Sequence, residues 1–171
     1  MKRGMVLLGW LALLGTVSAN AQTKISGTVK CNKPEPAYKL EVGDRSGHAM
    51  YLEKTNCTAM QAFEVGGSKY KEGYSISISE ETAARDVGNG THVSVFESGD
   101  KAFVSFRYSL PQKDGKTVGD SVGTWSYTGG TGKLKGIKGK GTYKVTGNDD
   151  GTVTIAVEGE YDLPAARATK K

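Results

Sequence analysis

From Ile25 to Tyr161 the chain repeats one pattern, short runs of alternating apolar and polar residues separated by glycine-rich turns. Ile25, Gly27 and Val29 alternate with Ser26 and Thr28; Tyr38, Leu40 and Val42 alternate with Lys39 and Glu41. Tyr74, Ile76 and Ile78 are spaced by Ser75 and Ser77, and Ala102, Val104, Phe106 and Tyr108 by Phe103, Ser105 and Arg107. Val153, Ile155, Val157, Gly159 and Tyr161 close the series. A period of two places successive side chains on opposite faces of a strand. No stretch sustains the helical period, and Glu80 to Asp86 reads as a loop or strand edge. The apolar members of each run are therefore assigned to the core.

The turns carry hairpin chemistry: Gly43-Asp-Arg-Ser-Gly47, Gly66-Gly67, Gly88-Asn-Gly90, Ser98-Gly-Asp100, Lys113-Asp-Gly115 and Asn148-Asp-Asp-Gly151. Eight to ten short strands joined this way form an antiparallel meander, and a meander avoids open edges by closing on itself. The expectation is an all-β fold, a small calycin-like barrel of roughly eight strands.

The ends of the chain read differently. Lys2 and Arg3 precede an apolar run from Met5 to Val17, and Ala19-Asn-Ala21 supplies a small-x-small cleavage site. This predicts a signal peptide over residues 1–21, cleavage after Ala21, and export to the periplasm or the outside of the cell. No cysteine near the cleavage point suggests a lipid anchor, and no stable membrane anchor is expected. A single barrel domain is assigned to 22–164 and a basic flexible tail to 165–171.

Removing Lys2 and Arg3 from 23 basic residues leaves 21 against 18 acidic ones, a net charge of +3. Arg167, Lys170 and Lys171 sit in the tail, so the domain is near neutral and nucleic acid is not an expected partner. Lys133, Lys135, Lys138, Lys140 and Lys144 read as solubilising, edge-protecting charges. Cys31 and Cys57 are the two cysteines, and an exported domain is expected to join them in a disulfide. Neither lies in a C-x-x-C pair, and His48 and His92 are the only histidines, so neither a metal nor another cofactor is expected.

The segment Gly123-Thr-Trp-Ser-Tyr-Thr-Gly-Gly-Thr-Gly-Lys-Leu-Lys-Gly-Ile-Lys-Gly-Lys-Gly-Thr-Tyr143 is the densest in glycine. Gly129, Gly130 and Gly132 suit a sharp turn, and Gly136, Gly139 and Gly141 suit bends or close backbone approach. It is not a phosphate loop, because Leu134 stands where a P-loop needs Ser or Thr. From Trp125 to Tyr143 it resembles the Gly-Gly-Thr-Gly-Lys-Phe-x-Gly-x-x-Gly element of allene oxide cyclase-like barrels. Plant allene oxide cyclases, dirigent proteins and several secreted bacterial families share that fold. Val42-Gly-Asp-Arg-Ser-Gly-His48 and Cys57-Thr58 further resemble one uncharacterised secreted bacterial family. The resemblance implies the barrel and transfers no catalytic residue.

Candidate sites rest on single residues. Trp125, Tyr127 and Tyr143 share a face with the signature glycines; with Phe106 and Tyr108 they either fill the barrel or frame a pocket with apolar walls and phenol tips. Arg107 is a surface charge or, if its face is internal, an anion or carbonyl clamp. His48 follows a turn whose Asp44 either caps it or orients the imidazole as a general base. Glu158 and Glu160 are paired carboxylates or, more simply, ladder partners of Lys138 and Lys140. Asn56-Cys-Thr58 and Asn89-Gly-Thr91 match glycosylation sequons that a bacterial chain leaves idle. Three roles follow: a barrel binding a small apolar or aromatic ligand, a cofactor-free cyclase or isomerase, and a filled structural barrel of the envelope. Nothing in the sequence indicates the oligomeric state.

Overall fold

A computed structural model describes residues 22–113, 116–118 and 121–164. The segments read as signal peptide, basic tail and Asp114-Gly115 turn lie outside the described residues. The strands are β1 (Thr23–Cys31), β2 (Ala37–Glu41), β3 (Ala49–Gln61), β4 (Glu64–Val65), β5 (Ser68–Glu81) and β6 (Arg85–Phe96). They continue as β7 (Lys101–Lys113), β8 (Lys116–Thr117), β9 (Ser121–Gly130), β10 (Lys138–Gly147) and β11 (Val153–Asp162). One short 3-10 helix, Gly132–Leu134, joins β9 to β10.

Eight of these strands close an antiparallel barrel in the order β1-β11-β10-β9-β7-β6-β5-β3, with β3 returning to β1. Strand β2 pairs with the first half of β3, outside the closed ring. Cys31 and Cys57 face each other across β1 and β3 and form a disulfide. One end of the barrel is plugged by Phe63, Val65, Tyr70, Phe96 and Leu134, whose rings stack or meet edge to face. The Tyr161 hydroxyl accepts a hydrogen bond from the Gly66 amide, tying the β4–β5 turn to β11.

Strand β5 departs from the sequence reading. Tyr74, Ile76 and Ile78 are exposed on the outer surface, while Ser75, Ser77 and Ser79 point inward. The cause is a β-bulge: Tyr70 pairs with Phe96 and Glu72 with the adjacent Val95, so Lys71 is an extra residue. One inserted residue reverses the inside and outside of everything beyond it. Tyr70 thus joins the plug, and the following apolar residues are turned to solvent. Tyr38, Leu40 and Val42 are also exposed, because β2 has no second layer behind it.

Two glycine assignments change as well. Gly88-Asn89-Gly90 lies inside β6, where Gly88 leaves room for the Tyr108 ring and Gly90 for that of Phe106. Gly129 and Gly130 are strand residues of β9; the positive φ angles of the segment belong to Gly132, Gly136 and Gly139. Glu80 and Glu81 end β5, Arg85 begins β6, and residues 82–84 turn between them.

Candidate functional site

Inside the barrel, next to the aromatic plug, lies a cavity of about 320 Å³. That volume is at the lower end of the range for small-molecule sites. Its wall has three chemistries. Strands β1, β10 and β11 supply Val29, Val145, Ile155 and Val157; β7, β9 and β10 supply the rings of Phe106, Tyr108, Trp125, Tyr127 and Tyr143. Strands β3, β5 and β6 supply Glu53, Thr55, Ser75, Ser77, His92 and Ser94. This polar third exists because the bulge in β5 turned its serines inward.

Five of the residues singled out in the sequence meet here: Trp125, Tyr127, Tyr143, Phe106 and Tyr108. Their spacing alternates large and small. Tyr143 sits opposite Gly123, where an added Cβ would stand 2.1 Å from the Tyr143 Cζ, and Trp125 sits opposite Gly141. Their polar tips are largely committed to the wall. The Trp125 indole N–H donates to the carbonyls of Thr142 and Glu158, at 3.2 and 3.1 Å. The Tyr143 hydroxyl donates to the Arg107 carbonyl at 3.4 Å. Burial raises the pKa of Tyr127 and Tyr143 above the ordinary phenol value and that of Tyr108 to about 12. All three therefore remain protonated at neutral pH.

The other two candidates lie elsewhere. Arg107 is exposed on the outer face of β7. His48 lies outside the lumen, its Nδ1 2.5 Å from Asp44 and its Nε2 2.9 Å from Glu80. Arg45 reaches Asp44 at 2.9 Å. The hydrogen bond from His48 holds the Asp44 carboxyl below its usual range. This charge cluster ties the 43–47 turn to the end of β5. Glu160 faces Lys140 in the ladder, yet its close ion pair is with Lys24 of β1.

The lumen also holds groups that strand periodicity could not reveal. His92 lines the cavity from β6, and its Nδ1 lies 2.9 Å from the Ser75 hydroxyl. Burial lowers its pKa to about 4, so it is a neutral imidazole under ordinary conditions. Its ring stacks on Tyr70, at 6.3 Å between centroids. Gly73 makes this packing possible: a Cβ there would be 2.5 Å from His92 Nε2 and 2.8 Å from the Tyr70 hydroxyl. The Tyr70 hydroxyl is buried without a hydrogen-bond partner. Farther from the plug, burial raises the pKa of the Glu53 and Asp86 carboxyls, with Ser79 and Tyr108 beside Asp86, whose Oδ1 is buried without a hydrogen-bond partner. Among the described residues, no group of metal-ligating side chains is assembled.

No family model and no curated protein matches the sequence. Fourteen solved chains resemble the structure. One is a protein of unknown function from the DUF3224 family of Shewanella oneidensis, at 17% identity and a TM-score of 0.48. The match covers 85% of this chain and all of that one. Another is a pterocarpan synthase dirigent protein, at 13% identity and a TM-score of 0.50 over 87% of this chain and 90% of that one. The likeness is one of fold. Identities this low carry no function across.

Proposed function

We propose that this is an exported barrel of the allene oxide cyclase-like kind, close to the uncharacterised secreted bacterial family, that holds a small, flat, uncharged molecule in its lumen. The observation that carries the reading is the division of the wall: aliphatic strands on one side, aromatic rings beside them, and a hydroxyl-and-imidazole strip opposite. A planar ligand can lie on Phe106 and Trp125 while its one polar group meets His92 Nε2 or a serine hydroxyl. No lysine or arginine lines the cavity, and Glu53 does, so a carboxylate ligand is disfavoured. The predicted signal peptide and the Cys31–Cys57 disulfide support export.

Binding is favoured over catalysis by the state of His92. A general base works best with a pKa near the operating pH. Burial holds this imidazole about three units below neutrality, and its orienting partner is Ser75 rather than a carboxylate.

Trp125 is the single tryptophan after residue 21, so its fluorescence reports on the lumen directly. The flat ketone acetonaphthone should quench it saturably, and naphthoate, the carboxylate of the same ring, should bind at least tenfold more weakly. His92→Phe should weaken acetonaphthone binding while leaving the strand-type circular dichroism unchanged. If no panel of flat uncharged molecules shifts the emission or the melting temperature, the lumen is not a binding site and the filled structural barrel is the correct reading.

A further inference from the structure

The outer face of the β2-β3-β5 wall is unusually apolar. Tyr38 is 61% exposed, Leu40 71% and Ile78 52%, and Met50, Leu52 and Ile76 lie beside them. The ladders make this one patch: Tyr38 faces Leu52, Leu52 faces Ile78, Leu40 faces Met50 and Ile76 faces Lys54. At ~200 Å² for a large side chain, these exposures leave roughly 600 Å² of surface uncovered. That is at the upper limit for the largest patch on a typical monomer, and near the ~800 Å² each partner contributes to a standard interface.

The charges bordering the patch are arranged in opposition. Lys54, its Nζ over the Tyr74 ring, flanks it in the row with Ile76; Glu80, half-exposed beside His48 and Arg45, flanks it in the row with Met50, on the other side of the Leu52–Ile78 row. A two-fold axis running along that central row, parallel to the sheet, inverts the strand direction of a second copy. It places Lys54 over the partner's Met50, one strand from the partner's Glu80, twice, and packs Tyr38, Leu52 and Ile78 against themselves. We propose that the protein forms a face-to-face two-fold dimer through this patch, with the Tyr38–Leu52–Ile78 row on the axis. An isologous interface needs such self-complementarity, and two sheets can stack through it with side chains interdigitating.

Light scattering of the chain purified after export should give the dimer mass at tens of micromolar. Leu52→Lys introduces two like charges at the axis and removes two leucines from contact, so the dissociation constant should rise roughly 30-fold or more. Leu52 is half-exposed in a single copy, so circular dichroism should show the fold retained.

The decisive arm is charge exchange. Lys54→Glu and Glu80→Lys should each be predominantly monomeric alone, and mixing the two variants should restore the dimer mass. Mixing cannot repair a defect internal to either chain, so restoration reports on the contact between copies. A monomeric wild type, a trimer, or singles that stay dimeric overturns the proposal. So does a wild type that stays monomeric and sediments with phosphatidylethanolamine–phosphatidylglycerol vesicles in a Leu52-dependent way, since the patch would then be a membrane contact.

Discussion

Removing the lumen-lining imidazole of His92 gives the sharpest test of the lumen as described. His92 has a folded pKa of about 4, lowered by burial, against ~6.5 in the unfolded chain. The unfolded state therefore takes up a proton at a higher pH than the folded state. The neutral imidazole's contribution is intact above pH ~6.5 and is lost as pH falls toward 4. The gap of 6.5 minus 4 is 2.5 units, which at ~1.36 kcal/mol per unit makes about 3.4 kcal/mol in all. Roughly 2 kcal/mol of that is lost between about pH 7.5 and about pH 5.

Glu53 and Asp86 act in the opposite sense. Their folded pKa values are raised, so lowering the pH through them restores stability. The measurement is therefore a difference between wild type and His92→Gln, in which the carboxylate contributions cancel to first order. Guanidinium unfolding of both proteins at several pH values, with the denaturant slope held common, supplies it. The wild type should lose about 2 kcal/mol relative to the variant on going from about pH 7.5 to about pH 5. Parallel stability curves would refute the placement of His92 in a desolvated wall of the lumen.

Two further outcomes follow from the fold. Ile76→Thr should change stability by no more than ~0.5 kcal/mol at submicromolar concentration, because its side chain is on the outer surface. A loss above ~1 kcal/mol in chemical denaturation would return Ile76 to the core and refute the bulge at Lys71. Reducing Cys31–Cys57, which closes a loop of sequence separation 26, should lower stability by about 3.5 kcal/mol on the chain-entropy account. An unfolding midpoint unchanged by reductant, with both thiols titratable, would refute that contribution.

Much of the architecture could be read from residue order alone. Period-two runs broken by Gly-Gly, Ser-Gly-Asp and Asn-Asp-Asp-Gly define strands and hairpins, and a meander with no covering helix has to close. Two cysteines leave one intramolecular pairing, and the glycine signature puts Trp125, Tyr127 and Tyr143 on one face with small residues. These are local properties, fixed by spacing and by side-chain size.

The chemistry of the lumen was decided by tertiary structure. Alternation shows that Tyr74, Ile76 and Ile78 share a face, but not which face is inside. That choice was made by a single extra residue, Lys71, accommodated where β5 meets β6 at the aromatic plug. Its consequences are a serine-lined wall beside His92 and an apolar patch on the outside. A strand's period is set by its own backbone, whereas its inside and outside are set by the register of its neighbours, and a one-residue bulge reverses them without leaving a mark in the pattern.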